Sequence, residues 1–423
     1  MALSTDPIDF RSLSLRSLKA VLYVAKLQNI SHAAKILGRS QTAITKAIGA
    51  LEAMLTISLF DRGARGVAPT PAGAIIARRA ATVAEEFRKA ALALPLYRGQ
   101  SDNSVETNPL FSMDIGLKRL IAFVALVDHE DLAKAASALG VSVSAVYASM
   151  REIEKYVDMP LFDRTPTRLR PREYAGVLAI HIKLALAEIR HALDDIASLQ
   201  GVPQGHVVIG TLPFTRTMIV PKAINRLLGA HPQLLISARD GPYDDLEHAL
   251  RCGDLDFIVG ALRPHDRHTD LETELLFEDR LALIVRAGHP LTARHKLSLR
   301  DLHDWDWILP PRATPSRQIF DQVLAAHGLG ETRHVIETSS LAMIRGLLLE
   351  SNRIALLSEH QVYYETAHGQ LSVLPISLSE TYRPIGVTMR ARATLSPAAV
   401  LFLEHIRAVA NEIGPARPPK DAA

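Results

Sequence analysis

The 423-residue chain is poor in cysteine and in aromatic residues, with Cys252 as its single cysteine, two tryptophans and 5% aromatics. One cysteine cannot form an intramolecular disulfide, and such usage is typical of a reducing compartment. The sequence has no run of about 18 apolar residues, the length that a membrane-spanning helix needs. The first residues are polar and lack the apolar stretch of a secretory signal. We therefore expect a cytoplasmic protein with no membrane partner.

The chain also lacks a large net charge, but the formal charge of +3 hides an uneven distribution. Residues 1–98 contain 14 basic and 6 acidic side chains, whereas residues 99–200 contain 11 and 14. A local excess of positive charge favours contact with a polyanion, although it also fits simple solubility. The length itself predicts about three domains.

The sequence contains an internal repeat at a constant offset of 102 residues, with 15–62 matching 117–164 without a gap. Leu37-Gly38 corresponds to Leu139-Gly140, Glu52 to Glu154, and Leu59-Phe60-Asp61-Arg62 to Leu161-Phe162-Asp163-Arg164. A period this long is that of a duplicated small domain rather than of a solenoid.

The first copy predicts three short helices and a wing. Apolar spacing predicts a helix over residues 15–27. Ser31 fits the N-cap of a second helix, Gly38 supplies a turn, and Ser40 caps a third helix ending near residue 55. Two short helices joined at a glycine turn are typical of a helix-turn-helix. Residues 62–66, with two arginines and two glycines, fit the tip of a wing.

The rest of the chain divides into linkers, a second copy and a different kind of domain. We expect modules at residues 11–73 and 115–172, linker helices at 74–98 (interrupted by Pro95) and 173–200, and a flexible linker at 99–114. From residue 205 to 414, short apolar runs alternate with helical stretches, which predicts an α/β domain with a mainly parallel sheet. The predicted strands are 207–210, 234–237, 257–260, 281–285, 307–309, 354–357 and 385–388, and the predicted helices are 220–230, 243–251, 316–327, 339–350 and 397–413.

Several motifs in order resemble the LysR-type transcriptional regulators. In the first copy they are the run from Gly38 to Lys46, Leu51-Glu52, Leu59-Phe60-Asp61-Arg62 and Thr70-Pro71-Ala72-Gly73. Further on they are Ile209-Gly210-Thr211 before Pro221, the run from Leu250 to Asp256, Gly288-His289-Pro290-Leu291 and Leu395-Ser396-Pro397-Ala398. The resemblance covers nearly the whole chain, and the duplicated module is its one departure.

The resemblance implies a multidomain protein with two winged helix-turn-helix modules, mainly α, long linker helices, and a two-lobed α/β effector domain like that of periplasmic binding proteins. It implies a sequence-specific regulator that binds double-stranded DNA and is controlled by a small molecule held between the lobes. It further implies a homo-oligomer, dimer or tetramer, and contact with RNA polymerase if the protein is an activator.

Two other classes of protein share the α/β fold, and in both the first modules would serve assembly. A solute-binding protein predicts a secretory signal and no basic helix-turn-helix. An enzyme needs convergent acid, base or nucleophilic groups, which we do not find in the sequence. We also expect no cofactor and no metal, because His265 and His268 stand alone in a hydrophilic loop.

The predicted DNA-reading residues of the first copy lie on the outer face of its third helix and in its wing. Gln41 can pair with two atoms of adenine, and threonines can offer hydroxyl or methyl contacts in the major groove. Basic side chains suit phosphate or minor-groove contacts. A solvated helix face is the alternative. The predicted set is Ser40, Gln41, Thr42, Thr45, Lys46, Arg62 and Arg65.

The second copy keeps the apolar scaffold but changes this face. Gln41, Thr42, Thr45 and Lys46 become Val143, Ser144, Tyr147 and Ala148. Residues 15–73 contain 8 basic and 2 acidic side chains, whereas 115–172 contain 9 and 7. We favour a weakened or re-specialised reader over a fully competent one, with Ser142, Ser144, Tyr147, Arg164 and Arg168 as its contacts. As a hypothesis, the second copy packs or dimerises as a spacer before the effector domain. The two long helices resemble the family's dimerising linker helix, although ordinary packing fits their periodicity equally.

The predicted effector site combines three loops, each preceding a helix whose free N–H groups can hold an anionic ligand. They contribute Phe214, Thr215 and Arg216, then Pro242, then Ser339 and Ser340. The two serines fit plain N-caps equally well. Arg216 and Arg312 can pair with a carboxylate, although exposed surface arginine is the alternative.

Overall fold

The computed structural model describes residues 9–63, 66–98, 108–165, 168–201, 204–263, 270–294, 296–330, 332, 334–378 and 381–413. Apart from two short segments, the chain divides into two compact units at Gly205 and His206. Within the described residues, no single helix is long and apolar enough to cross a membrane; one pair of helices reaches that length and composition together but is bent by 109°.

The first unit contains the same succession of elements twice. The first copy is α1 (Leu15–Leu27), α2 (Ile30–Ile36), α3 (Gln41–Leu55), β1 (Phe60–Gly63), β2 (Gly66–Pro69) and α4 (Pro71–Arg98). The second is α5 (Leu117–His129), α6 (Leu132–Leu139), α7 (Val143–Val157), β3 (Phe162–Arg164), β4 (Leu169–Pro171) and α8 (Glu173–Leu199). We call these module 1 (α1 to β2) and module 2 (α5 to β4), each followed by a linker helix. In each module two antiparallel strands form the wing.

The backbone of the two modules matches in detail. Left-handed residues end equivalent helices, at Gln28 and Glu130 and again at Thr56 and Asp158. Gly38 and Gly140 occupy the same left-handed turn, with φ of 59° and 65°. Glycine is favoured there because other residues are strained at positive φ.

Three local expectations for the first unit were wrong. Asn29, not Ser31, caps α2, since its side chain accepts from the His32 N–H at 2.9 Å. Pro95 does not interrupt α4, because it lies near the end of the helix, where the missing N–H costs only one backbone hydrogen bond. The flexible linker predicted at 99–114 is wrong for residues 108–114, since Leu110 and Met113 are buried in the core of the first unit, and residues 99–107 lie outside the described structure.

The second unit contains two lobes, each with a five-stranded sheet. In the first lobe β5 (Gly205–Thr211), α9 (Ile219–Ala230), β6 (Leu234–Asp240), α10 (Tyr243–Arg251), β7 (Phe257–Ala261) and β8 (Leu271–Asp279) come first. The second lobe follows with β9 (Leu281–Arg286), β10 (Trp307–Leu309), α11 (Pro315–Ala326), β11 (Val335–Glu337), α12 (Leu341–Leu349), β12 (Ile354–Ser358), α13 (Tyr363–Ala367) and β13 (Leu371–Val373). The chain then returns to the first lobe in β14 (Arg383–Arg390) and α14 (Pro397–Ile413).

Both sheets are mixed, which corrects the expectation of a mainly parallel sheet. The strand orders are β6-β5-β7-β14-β8 and β11-β10-β12-β9-β13. Strand β14 runs antiparallel to β7 and β8, and β9 runs antiparallel to β12 and β13. The chain passes from the first lobe to the second after β8 and returns before β14. The strands that follow these two crossings, β9 and β14, run antiparallel to their neighbours. Strands β8, β11 and β13 were not predicted.

Candidate nucleic-acid interface and ligand cavity

A glutamate shared by the two modules holds the chain entering each wing. The Glu52 carboxylate accepts a hydrogen bond from the Leu59 N–H at 2.7 Å, and Glu154 accepts one from the Leu161 N–H at 2.9 Å. Glu154 is buried. The repeated glutamate is therefore part of the scaffold and not of the predicted DNA-reading face.

Helix α3 separates an apolar inner side from a polar outer side. Ile44 and Ile48 are buried in the core of the module. Ser40 caps the helix by accepting from the Ala43 N–H at 3.2 Å. Gln41, Thr42 and Lys46 are exposed, and Thr45 is half-buried. This outer surface, which we call the α3 face, consists of residues 41, 42, 45 and 46.

The position of Gln41 is supported by its neighbour in α2. The Ser31 hydroxyl donates to Gln41 Oε1 at 3.2 Å, a bond that leaves both amide N–H groups of Gln41 for other acceptors. The predicted wing contacts are less defined. Arg62 lies on β1 and its side chain is outside the described structure, as is the whole of Arg65.

Helix α7 has the same cap and a different outer face. Ser142 accepts from the Ala145 N–H at 3.2 Å, and its hydroxyl lies 2.9 Å from that of Ser144. Val143 and Tyr147 are 45% and 36% exposed. This α7 face, residues 143, 144, 147 and 148, therefore offers mainly apolar contacts where the α3 face offers an amide and a cation.

The wing of module 2 retains exposed basic residues. Arg168 is exposed, and its backbone is fixed by hydrogen bonds with Thr165 at 2.9 Å. Arg172 pairs with Asp163 at 2.7 Å. Arg164 lies on β3, and its side chain is outside the described structure.

Asp114, which sequence reasoning missed, joins the segment before module 2 to module 1. It pairs with Lys19 at 3.0 Å, with Arg39 at 3.3 Å and with Arg16 at 3.4 Å. Burial would raise the pKa of Asp114, but the hydrogen bond from Lys19 and the nearby cations hold that pKa below its ordinary value. The start of module 2 is thus fixed against the basic surface of module 1.

The two linker helices pack against each other within the chain. Arg79 on α4 contacts Glu188 and Asp195 on α8, both at 2.8 Å, and all three are buried. His181 lies 2.8 Å from Glu86, and the Tyr174 hydroxyl donates to the Ala90 carbonyl at 2.9 Å. Later residues of α4 meet earlier residues of α8, so the helices are antiparallel. Their periodicity predicted apolar faces but not this pairing.

The second unit contains a cavity of about 120 Å³ between its lobes. Its polar lining comprises Arg263, Arg383, Thr314, Ser316, Thr338, Ser339 and Gln361. The remaining lining is apolar and includes Leu212, Phe214 and Ile344. Among the described residues that line it, two are cationic and none is a carboxylate.

The structure brings only part of the predicted effector set to this cavity. Phe214 and Ser339 line it. Thr215 is fully buried, and its hydroxyl lies 3.0 Å from the Val259 carbonyl, which removes it from ligand contact. Arg216 is turned away, because it donates to the Thr211 carbonyl at 2.7 Å and lies 3.5 Å from Asp240.

The other predicted residues also lie outside the lining. Ser340 is the N-cap of α12 and accepts from the Met343 N–H at 3.4 Å, as its alternative interpretation stated. Pro242 and Arg312 do not line the cavity, and the Arg312 N–H donates to Glu337 at 3.1 Å. His265 and His268 lie outside the described residues, within which no group of three potential metal ligands occurs.

Arg383 is the main residue of the cavity that sequence reasoning missed. It donates to Asp279 at 3.1 Å and to Ser316, and its guanidinium lies 5.4 Å from the centre of the Phe214 ring. Burial raises the pKa of Asp279, although Arg383 opposes that effect. These partners come from β8, α11 and the loop after β5, so no local sequence pattern brings them together.

Comparison with known proteins decides the family. Residues 200–411 match the LysR substrate binding domain, and residues 15–74 and 117–175 each match the bacterial regulatory helix-turn-helix of the lysR family. The chain belongs to the LysR family. The two separate matches confirm the duplication.

Relatives of this LysR-type chain are transcriptional regulators. The regulator GalR of Pseudomonas putida is 37% identical over 405 residues, covering 96% of this chain and 99% of GalR, so GalR contains a counterpart of the second module. The regulator PcaQ of Agrobacterium fabrum is 30% identical, covering 71% of this chain and 96% of PcaQ. A full-length OxyR variant from Pseudomonas aeruginosa shares the fold, with a TM-score of 0.52, 22% identity, and coverage of 73% of this chain and 99% of OxyR.

This LysR-type protein is a DNA-binding transcriptional regulator with an effector-binding domain. The family also binds small-molecule effectors and forms oligomers. The predicted multidomain fold, a pair of winged helix-turn-helix modules followed by a two-lobed α/β domain, is confirmed.

Proposed function

We propose that the α3 face is the main sequence reader of this regulator. Gln41 and Lys46 on that face are exposed, and the Gln41 amide is held by Ser31. The contrast with the α7 face carries this proposal, because equivalent positions there hold valine and alanine. The structure of CbnR complexed with its target DNA, with a TM-score of 0.50, supports DNA as the partner of such a fold.

The second half of the proposal concerns the effector, which we assign to the cavity between the lobes. Arg263 and Arg383 supply positive charge, and the apolar lining around Phe214 suits a small apolar body. An organic anion satisfies both parts of this lining. Ligand binding would shift the population of lobe arrangements if the ligand binds one arrangement more tightly. The protein acts in the cytoplasm as a homo-oligomer, and any activation proceeds through contact with RNA polymerase.

Duplex selection with the full-length protein tests the reader. A duplex selected from a randomised pool is titrated with the wild type, Gln41→Ala and Tyr147→Ala. Loss of a two-point contact to adenine costs about 1–3 kcal/mol of discrimination against the wrong base. We expect Gln41→Ala to lose affinity for the selected duplex and to tolerate base changes in it, and Tyr147→Ala to do so less. Equal losses for the two variants would contradict the assignment.

A further inference from the structure

One contact between α4 and α8 has a counterpart in which both residues are replaced by their equivalents in the other copy of the repeat. Arg79 contacts Glu188, and His181 lies 2.8 Å from Glu86. Residue 181 is the counterpart of 79 and residue 188 that of 86, since the offset is 102 in both cases. If i contacts j and the counterpart of j contacts that of i, a twofold axis relates the two sides.

The segments preceding the modules follow the same rule. The short turn Phe10–Ser12 before module 1 packs against α5 of module 2. Asp114 before module 2 pairs with Arg16 and Lys19 of α1 in module 1. The apolar residues of both modules and both linker helices belong to one continuous core. Module 2 therefore occupies, within one chain, the place that a second subunit takes in a symmetric dimer.

Helix-turn-helix dimers bind two half-sites about one helical turn apart, and the symmetry of the DNA site follows that of the protein. In this chain the twofold relation does not extend to all side chains, because the α3 face and the α7 face differ. The wing of module 2 still exposes a basic residue, Arg168, and the α7 face offers Ser144 and Tyr147. Such side chains can contact phosphates and thymine methyl groups.

We propose that one chain is a complete two-headed DNA-binding unit whose modules contact the two unlike halves of an asymmetric operator. Module 1 reads the bases of its half through the α3 face. Module 2 binds the other half through its α7 face and its wing, which contact the DNA backbone and apolar groups of the bases. The inference rests on the proposed role of module 1 as main reader. It adds module 2 as a second DNA-contacting surface, in place of a spacer.

Affinity cleavage with the full-length protein tests this directly. Ala43 and Ala145 are exposed counterparts in the first turns of α3 and α7, so Ala43→Cys and Ala145→Cys are a matched pair. Each variant carries a thiol-linked iron–EDTA group and is bound to the duplex selected by the wild type. Cys252 is buried, so the treated wild type serves as the background control. Thr42→Cys and Ser144→Cys provide a second matched pair if an alanine variant fails to fold.

We expect both probes to cleave the duplex above background, at two positions about one helical turn, or roughly 10 base pairs, apart. The two half-sites should differ in sequence. Cleavage by the Ala43→Cys probe alone, cleavage by both probes at one half-site, or identical sequences at the two half-sites that the two probes cleave would overturn the inference while leaving the role of module 1 intact. Cleavage by neither probe would overturn the proposed reader as well.

A spacing test changes the DNA and uses the wild-type protein, so its result does not depend on any side-chain substitution. If the modules form one rigid pair, inserting about five base pairs between the half-sites places them on opposite sides of the duplex. We expect at least a tenfold loss of affinity for the wild type. An unchanged affinity would contradict a paired two-headed unit.

Discussion

Arg79 and Glu188 form a buried ion pair between α4 and α8, with Nη1 and Oε2 separated by 2.8 Å. The same guanidinium binds Asp195, which also pairs with Arg78 at 3.4 Å, so two arginines face two buried carboxylates in the first unit. Burial would lower the pKa of Arg79, but hydrogen bonds to Asp195 and Glu188 raise it above its ordinary value. This cluster fixes the antiparallel register of the two linker helices.

Removing Arg79 should loosen that register. Arg79→Met removes the ion pair of the buried Glu188 and leaves Asp195 paired with Arg78 alone, and breaking a buried ion pair in this way costs about 3–5 kcal/mol. Hydrogen exchange should show a loss of protection in α4 and α8. Arg88→Met is the matched control, since Arg88 forms an exposed pair with Glu85 on the same helix and should change little. Equal effects would contradict a structural role for the buried cluster.

Glu86 should make the first unit sensitive to acid. Burial would raise the pKa of Glu86, but hydrogen bonds from His181 and Lys89 hold it below 4.5. A lowered folded pKa contributes stability that is present above the unfolded value and is lost as pH falls through the folded value. Urea unfolding followed by circular dichroism should show Glu86→Gln less stable than the wild type at pH 7, with the difference shrinking below pH 4.5.

The exposed neighbour Glu85 offers a control for that experiment. Its side chain is 43% exposed, so solvent screens its ion pair with Arg88. Glu85→Gln should lower the free energy of unfolding by less than Glu86→Gln at pH 7. A difference between Glu86→Gln and the wild type that stays constant with pH would argue against the assigned contribution.

Gly73 should not tolerate a side chain, although its counterpart in module 2 is Ala175. A Cβ atom at Gly73 would lie 1.9 Å from the Leu59 carbonyl oxygen, so the start of α4 would have to move. Overpacking of this kind costs about 1–3 kcal/mol or more. Gly73→Ala should reduce DNA affinity and hydrogen-exchange protection in β1 and α4. Ala175→Gly should cost only about 1 kcal/mol through helix propensity, and Gly73→Ala with wild-type protection would refute the clash.

Arg263 should make the cavity select effectors that carry a negative charge. Its guanidinium lies 4.5 Å from the centre of the Tyr243 ring and lines the cavity, and no ion pair of Arg263 with a carboxylate occurs in the part of the chain that the structure describes. Calorimetric titration with small apolar carboxylates and their uncharged amides should show binding of the acids only, and weaker binding to Arg263→Met. Arg383 is a poorer target for substitution, because its removal would take the ion-pair partner from the buried Asp279. Amides that bind as well as the acids would contradict an anionic effector.

Local features of the fold were predictable from the sequence, and long-range contacts were not. The Ser40 cap and the extent of α3 follow from adjacent residues, so both were predicted correctly. Ser31 was misassigned as a cap because Asn29, two residues earlier, competes for the same helix end. Strand β8 escaped prediction because its run LETELLFED mixes charged and apolar residues, with only some of them buried.

The candidate sites show the same division. The α3 face could be predicted because it lies on one helix, and its function stays a prediction. The cavity could be predicted only in part, since Phe214 and Ser339 line it, whereas Thr215 and Arg216 bond to nearby backbone carbonyls. The partners named above for Arg383, Asp114 and Arg79 lie at least 67 residues away in sequence, the separation of Arg383 and Ser316. No periodicity or motif indicates such pairs.

Transfer of the α3 face onto α7 tests most directly whether the two modules read different sequences. The full-length variant V143Q/S144T/Y147T/A148K gives α7 the α3 face, and duplex selection from a randomised pool is repeated with it. The account predicts that the wild type selects a site with unlike halves and that the variant selects an inverted repeat of the half-site read by module 1. Selection of the same site by both proteins would contradict it.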